Sequence, residues 1–261
     1  MYRGTWLCLF LFTCWTSAGW AQEESDQEIV ARALETAQSL KATTSAGKEI
    51  DLIATPLLRY GDPARQNEKG FLWAWGKSGR PVAVCEMFIN TNQAFATYVL
   101  TLTSDQKIHV VTPRGNWQPQ KLQLQMEEVE KVMPPAETES RRLQQMRQIM
   151  RGYAAHEFWD PNNSRYELRL LTSPVYRYED KEAGIEDGAL FVFAHGTNPE
   201  IVALVEAHHN DGKRSWKVGF VPVGSAELHV TQDEDDVWSK ERAPGITGQP
   251  SDPYWLFLGA K

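Results

Sequence analysis

The amino-acid sequence predicts an α+β fold of two similar halves, each a helix packed on a mainly antiparallel β-sheet, with approximate internal twofold symmetry. Three observations support this. With 42% hydrophobic and 23% charged residues, the composition is that of a folded globular protein. Segments of the first half recur in the second half at a nearly constant offset. In each half, helical apolar spacing comes first and strand-like runs follow.

The first 21 residues have the pattern of a secretory signal peptide. Arg3 supplies a positive start, residues 6–12 are a short apolar core, and the Gly-Trp-Ala sequence at 19–21 places small residues before a cleavage point. A membrane anchor needs about 20 apolar residues, and polar residues interrupt this run much earlier. We therefore expect a periplasmic or extracellular protein without a transmembrane anchor.

Cysteine content and charge limit the functions that are compatible with the sequence. Cleavage after Ala21 leaves Cys85 as the single cysteine, so the mature chain cannot form an intrachain disulfide. Cys85 lies in an apolar run with no nearby His or Asn, which favours a small buried hydrophobe over a catalytic thiol. The net charge of −7, without a cluster of Lys and Arg, argues against nucleic acid as a partner.

The duplication is visible in four collinear segments. An offset of 118 aligns two segments of the first half with the second, and two residues are then gained, so that an offset of 120 aligns the other two. The aligned pairs are 50–62 with 168–180, 70–75 with 188–193, 82–86 with 202–206, and 109–110 with 229–230. Four segments in one order are hard to obtain without duplication.

The alignment predicts the domain boundaries. We expect a signal peptide over 1–21, a first repeat over 25–126, a linker over 127–136, a second repeat over 137–240 and a Gly/Pro-rich tail over 241–261. The apolar end of the tail, residues 254–258, is too apolar to remain in water. It is expected to dock on the fold as an edge strand or plug, and the alternative is that it waits for a partner.

Each repeat is predicted to open with a helix. In the first repeat, Ser25 and Glu28 have capping-box spacing, and an apolar stripe follows at helical intervals. In the second repeat, a similar stripe predicts a helix over 139–156, with residues 156–159 at its end. The two stripes are Ile29, Ala33, Ala37 and Leu40, and Leu143, Met146, Met150 and Tyr153.

Strands are predicted after each helix. Residues 73–75 and 82–84 flank a Gly-rich turn and form a predicted hairpin, and its counterpart surrounds 196–199. Both alternating sets of side chains are apolar, so both sheet faces need cover. We expect the helix of the same copy on one face, and the opposite copy or the tail on the other. Residues 121–126 fit a strand or a helix, and the strand is favoured.

Later strands alternate more cleanly between apolar and polar residues. Trp216, Val218 and Phe220 are therefore predicted to point inward. The same alternation places Leu228 and Val230 inward, with the neighbouring His229 facing solvent.

The best polar candidate is an Arg-Tyr-x-Asp signature that occurs in both copies. Its residues are Arg59, Tyr60 and Asp62, and Arg177, Tyr178 and Asp180. As a binding site, the Arg would hold a carboxylate or phosphate with the Tyr as a neighbouring donor. As a structural element, an Arg–Asp pair would close the loop after a strand, with the Tyr packed below. Retention in both copies favours the structural role, because an active site usually survives in one copy only.

Metal binding has one weak candidate. Glu206 and His208 should project to one face of a strand, and Asp211 could complete a site. No zinc or calcium motif is present, and the first copy has Phe88 where the second has His208. Exposed strand-end histidines therefore remain the default, and we predict no metal and no cofactor. No serine-hydrolase, phosphate-loop or dinucleotide motif occurs either.

Four segments resemble a group of uncharacterised exported proteins of planctomycete bacteria. They are residues 56–60, 72–76, 141–147 and 196–200. The resemblance covers most of the mature chain and implies export and a repeated domain. It implies no activity for any residue.

Three functions stay open at this stage. The favoured one is an exported noncatalytic module that binds a protein, peptide or glycan, because catalytic motifs are missing. The second is a hydrolase, which should bring Arg177, Tyr178, Asp180 and a histidine into one cleft. The third is a structural component of the cell envelope, which should show no pocket.

Overall fold

The computed structural model describes residues 26–62, 67–90, 95–210, 212–243 and 248–260. The predicted signal peptide and Ser25 of the predicted capping box lie outside these residues. Strands make up 52% of the structure and helices 12%. No helix of the described segments combines the length and the apolarity needed to cross a membrane.

The described residues form two helices and eighteen strands. In chain order these are α1 (Asp26–Ser39), β1 (Lys41–Thr44), β2 (Glu49–Ile50), β3 (Leu58–Asp62), β4 (Asn67–Trp75), β5 (Ala83–Asn90), β6 (Phe95–Leu102), β7 (Ile108–Thr112), β8 (Gly115–Trp117), β9 (Glu127–Glu128), α2 (Glu139–Met150), β10 (Tyr153–Phe158), β11 (Arg165–Leu170), β12 (Tyr176–Asp180), β13 (Ile185–His195), β14 (Asn198–Asn210), β15 (Lys213–Pro222), β16 (Glu227–Gln232), β17 (Asp235–Lys240) and β18 (Tyr254–Ala260).

The strands form three sheets, and every described strand pair is antiparallel. A four-stranded sheet has the order β2-β1-β7-β8, and a five-stranded sheet has the order β18-β6-β5-β4-β3. A nine-stranded sheet has the order β17-β16-β10-β11-β13-β14-β15-β9, with β12 paired to β13. The predicted α+β class of two helix-on-sheet halves is therefore wrong, because the chain folds as a curled, multi-sheet β-sandwich.

The structure contains more strand residues than the sequence predicts, and two segments account for part of this difference. The second helix ends at Met150, and the chain then enters strand β10, in which Tyr153, Ala155 and Glu157 are buried. The predicted helix over 139–156 was therefore too long, since the helical spacing of its apolar residues continues into a strand. The short polar β1 also pairs with β2 and β7, which its sequence does not indicate.

Pairing follows the same order in both parts of the chain. The run β3-β4-β5-β6 in the first part corresponds to β12-β13-β14-β15 in the second. Strand β7 pairs with β1 as β16 pairs with β10. The outer edge of β6 is taken by β18 and that of β15 by β9. One difference is that β11 also pairs with β13, which merges two sheets in the second part.

The two long hairpins, β4–β5 and β13–β14, are covered on both faces, as their composition predicts. Phe71, Trp73 and Trp75 of β4 share a core with the α1 stripe, and Phe191 and Phe193 of β13 share one with α2. On the opposite faces the two hairpins meet. This inner core contains Leu72, Ala74 and Val84 from the first hairpin, and Leu190, Val192 and Val202 from the second.

The inward side chains of the later strands are as predicted, whereas His229, predicted to face solvent, is half-buried against His156. Trp216, Val218 and Phe220 are buried, and so are Leu228 and Val230. The predicted strand over 121–126 is wrong, because only Glu127–Glu128 pairs with β15. Residues 124–126 instead cross closely over Gly219, where a Cβ would lie 2.6 Å from the Met126 sulfur. The glycine thus makes room for an irregular segment.

Candidate functional site

The tyrosine of the repeated signature reaches the interface between the two hairpins in both copies. Tyr178 donates a hydrogen bond of 2.6 Å to Glu206, and Tyr60 donates one to Glu86. Each ring lies against the glycine that faces it on the adjacent strand, where a Cβ would overlap the ring. Both glutamates are buried. The repeat therefore places two tyrosine–glutamate pairs between the hairpins.

One pair is completed by an arginine from the other half of the molecule, and we call this group the closed end. Arg80, in the β4–β5 turn, donates from Nε to Oε1 of Glu206 (2.7 Å) and from Nη2 to Oε2 (2.6 Å). Nε2 of His208 lies 2.8 Å from Oε2 of the same carboxylate. Burial alone would raise the pKa of Glu206, but hydrogen bonds from His208, Arg80 and Tyr178 lower it to about 2.

The weak metal candidate takes part in this ion cluster. Glu206 and His208 project to one face, as predicted, while Asp211 lies outside the described residues. His208 is only 7% exposed, so the expectation of an exposed strand-end histidine is wrong for it, whereas His209 is exposed. Among the described residues, no group of three or more His, Cys, Asp or Glu side chains is placed to hold a metal ion.

The other signature residues of the second copy make different contacts, although the Asp180 carboxylate lies against Gly79, next to Arg80. Nη2 of Arg177 binds Asp187 at 2.6 Å, and Nη1 binds Glu139 at the start of α2 at 3.0 Å. Oδ1 of Asp180 accepts a hydrogen bond from the Ala183 amide and closes the turn after β12. The arginine of the second copy therefore pairs with Asp187 and not with the aspartate of its own signature.

The cleft that the hydrolase hypothesis requires is not formed, because Arg177 and Tyr178 bind different acids. In the first copy, the side chain of Arg59 is exposed, and that of Asp62 lies outside the described residues. Among the candidate side chains that the structure describes, the two tyrosines take equivalent positions, each bound to a buried glutamate of its own copy.

Around Glu86 lies a cavity of about 240 Å³, which we call the open end. Glu86, Glu200 and Asn198 line it and are exposed by only 2%, 1% and 7%. Half-buried Trp159 and Phe88 form apolar parts of its wall. The β13–β14 hairpin supplies Asn198 and Glu200 to a glutamate of the other hairpin, as the β4–β5 turn supplies Arg80 at the closed end.

Asn198 carries an unsatisfied acceptor at the open end. Its Nδ2 donates a hydrogen bond of 2.6 Å to Oε1 of Glu200, which fixes the orientation of the amide because a carboxylate only accepts. Its Oδ1 is buried and has no hydrogen-bond partner. The carboxylate of Glu200 lies against Gly224, at a place that a Cβ there would overlap. A change at Gly224 therefore acts directly on the wall of the cavity.

Lys240 and Tyr254 lie next to the open end. Nζ of Lys240 is 4.7 Å from the centre of the Tyr254 ring and 3.5 Å from the carbonyl oxygens of Gly224 and Ala226. Burial lowers the pKa of Lys240 to about 8, against the opposing effect of the Glu200 charge. Burial and the charges of Glu86 and Glu200 raise the pKa of Tyr254, whose hydroxyl is buried without a partner.

The two ends differ in the residue that the other half supplies, and in Phe88 at the position of His208. In the 120-residue alignment, Arg80 of the closed end corresponds to Glu200 of the open end. The Arg80 guanidinium, which binds the buried carboxylate of Glu206, is thus replaced at the open end by the buried carboxylate of Glu200. The closed end joins the two halves, whereas the open end combines two acids with a cavity.

The sequence did not single out Glu86, Asn198 or Glu200 as site residues. A signal was present for Glu86 and Glu206, because each is a charged residue within a strand that is otherwise apolar, and they align in the repeat. The partners of each glutamate come from the other half, so spacing along the chain does not indicate them. No protein-family model, curated protein or solved structure matches this chain.

A separate pair of histidines predicts a pH response. The rings of His156 on β10 and His229 on β16 stack with their centres 4.8 Å apart. His156 is 6% exposed, and its Nδ1 is buried without a partner. Burial, helped by the positive charges of Arg165 and His229 and opposed by Glu167 and Asp236, lowers the pKa of His156.

We expect the free energy of unfolding to fall as the pH decreases from about 7 to about 5, because His156 binds its proton more weakly when folded. The contribution of His156 to stability is complete above its pKa in the unfolded chain and is lost as the pH falls below that value. The free energy of unfolding then changes by up to about 1.4 kcal/mol per pH unit. Urea unfolding of the native protein and of His156→Phe at both pH values measures this slope. An equal loss in both proteins would assign the pH dependence to other groups.

Proposed function

We propose that the protein is an exported, noncatalytic binding module that takes a small ligand rich in hydrogen-bond donors at the open end. The observation that carries this proposal is Oδ1 of Asn198, a buried acceptor without a partner at the wall of a cavity. An unsatisfied buried polar group costs about 1–3 kcal/mol, and a ligand that donates to it removes that cost. The cavity also argues against a purely structural role, which requires none.

The walls indicate the chemistry of the ligand. Glu86 and Glu200 add carboxylate acceptors to the amide oxygen of Asn198. Arg242 also lines the cavity, but its guanidinium donates to backbone carbonyl oxygens. The volume of about 240 Å³ is below the range of roughly 300–1,000 Å³ that accommodates drug-sized ligands. We therefore propose a hydroxylated or amine-bearing molecule about the size of a monosaccharide, with Trp159 and Phe88 against its apolar side. Export is supported by the pattern of the first 21 residues.

A thermal-shift screen with neutral sugars, amino sugars and small amines tests this function. A compound that binds only the folded protein stabilises it by about 2.7 kcal/mol at a hundredfold excess over its Kd. We expect one of these classes to give a saturable increase in Tm with the native protein. Asn198→Leu, which removes the acceptor, and Gly224→Ala, which displaces Glu200, should both abolish the shift.

Lys77→Ala is the matched control, because Lys77 is exposed and lies in the β4–β5 turn, beyond the open-end cavity. This variant should keep the full ligand-induced shift. A shift that survives in both Asn198→Leu and Gly224→Ala would place the ligand elsewhere. If no neutral sugar, amino sugar or small amine raises the Tm, the proposed function is contradicted.

A glycoside hydrolase is the second candidate, and the two buried glutamates in one cavity favour it. Enzymes of that type use a pair of carboxyl groups on either side of the scissile bond. If the open end is catalytic, Glu86→Gln and Glu200→Gln should each remove hydrolysis of an aryl glycoside while binding persists. Binding without turnover in the native protein would favour the noncatalytic module.

A further inference from the structure

A second open surface lies on the outer face of the second half, between residues 125–132 and the β16–β17 hairpin. Its cavity of about 660 Å³ is larger than the open end. The nine-stranded sheet ends in β17 on one side and in β9 on the other, and residues of both strands line this cavity. The sheet thus curls until its two edges face each other across a gap, which we call the acidic groove.

Three aromatic side chains line the apolar part of the acidic groove. Tyr153 and Phe220 meet edge to face with ring centres 5.4 Å apart, and Phe220 lies 6.2 Å from Trp238. They come from β10, β15 and β17, so three strands of one sheet hold them in place. Val132 and Val237 at the margins are 39% and 46% exposed. Tyr153 and Phe220 are buried in the core, so half-buried Trp238 and the two exposed valines provide the accessible apolar surface of the groove.

Acidic side chains lie on both sides of these aromatics. Glu127, Glu128 and Glu130 are on one rim, and Asp233 and Asp235 are on the other. Lys131 is the one basic residue among those that line the groove. Two hydrogen bonds to Trp216 hold the rim of residues 127–133 in place. The Val129 amide donates to the Trp216 carbonyl oxygen, and the Trp216 indole donates to the Met133 carbonyl oxygen. Opposing carboxylates of this kind attract and orient a cationic partner.

We propose that the acidic groove binds an extended basic segment of a partner protein, in which Lys or Arg alternates with apolar residues. Strand β17 pairs with β16 on one side only, so its other edge can accept an added strand. Successive side chains of a strand point to opposite faces. The apolar side chains of such a segment would contact Trp238 and the two exposed valines, and the basic ones would lie beside the rim carboxylates.

Protection against aggregation is the simpler explanation for charges on an edge strand. It accounts for the aspartates at the start of β17. It does not account for the accessible Trp238, Val132 and Val237 between the two acidic rims. A partner that is both basic and apolar satisfies both features at once.

Fluorescence anisotropy with a short labelled peptide of alternating Lys and Val tests the proposal on the full chain. We expect saturable binding that weakens as salt rises from about 0.05 to about 0.3 M, because screening shortens the range of the attraction. Trp238→Ala should weaken binding by about tenfold or more, as loss of a central aromatic anchor does. The exposed double variant Glu130→Lys/Asp235→Lys should bind at least about tenfold more weakly without altering the fold.

The matched control is Glu35→Lys/Glu49→Lys, which changes the net charge equally at exposed positions of the first half. It should retain the binding of the native protein. Equal weakening in this control would show that the effect is general charge attraction and would overturn the proposal. So would equal binding of a peptide in which all Lys residues come first and all Val residues follow. The absence of saturable binding would also overturn it.

Discussion

Arg80→Ala is expected to destabilise the folded protein by about 3–5 kcal/mol, because it leaves a fully buried carboxylate without its bidentate partner. Glu206 has no exposed surface, and Tyr178 and His208 alone would have to stabilise its charge. In a chain of this length, 1 kcal/mol corresponds to about 2–4 °C in Tm. The Tm should therefore fall by roughly 6–20 °C, and urea unfolding gives the free energy.

Lys77→Ala is the control for charge removal in the same turn. Lys77 is paired with Asp51 at 3.4 Å, but both side chains are more than half exposed, so its loss should cost less than about 1 kcal/mol. Adding Glu206→Gln to Arg80→Ala should recover part of the stability, because the buried charge is then removed. If Arg80→Ala costs no more than Lys77→Ala, the closed end does not hold the two halves together.

The comparison between the two ends shows how one repeated frame is completed in two different ways. Each end has a tyrosine that donates to a buried glutamate, and each receives residues from the hairpin of the other half. Where that residue is Arg80, the interaction is an ion pair inside the molecule. Where Asn198 and Glu200 take its place, a cavity with an unsatisfied acceptor results. Substitutions at equivalent positions therefore test the two ends separately: Arg80 for stability, and Asn198 or Glu200 for the proposed binding.

Much of the inner framework could be predicted because it depends on local patterns. The alternation of Leu72 and Trp73 places one side chain on each sheet face, and both are apolar, so two covering layers were required. The stripe from Ile29 to Leu40 likewise indicated a helix with one buried face. These features involve neighbours along the chain, for which spacing is informative.

The small sheets and the site depend on partners that lie far away in sequence. Residues 41–44 (Lys-Ala-Thr-Thr) form β1 because β2 and β7 provide hydrogen bonds on both sides, and four residues are too few to show a strand pattern in the sequence. Arg80 and Glu206 are separated by 126 residues. No pattern within either segment indicates that the β4–β5 turn reaches the other hairpin. The α+β prediction failed for the same reason. It gave the two helices too much weight and missed strands that form only through pairing with distant segments.

Phe257→Ala is expected to destabilise the protein by about 3–5 kcal/mol, although Phe257 lies only four residues from the C-terminus. The side chain is 2% exposed and belongs to the core that contains Trp73 and Trp75. Its ring stacks on Tyr98 of β6 with centres 5.0 Å apart and an angle of 4° between the planes. Truncation would leave a cavity in this core, and thermal and urea unfolding measure the loss.

Leu122→Ala provides the comparison, because Leu122 is 64% exposed and its truncation should change the free energy of unfolding by less than about 0.5 kcal/mol. The pair of variants separates the two predictions made for the apolar tail. A tail that waits for a partner would make Phe257→Ala as mild as Leu122→Ala. A large loss fits the pairing of β18 along the edge of β6. Because that edge would otherwise present unpaired backbone groups to other chains, Phe257→Ala should also increase aggregation in proportion to the stability it removes.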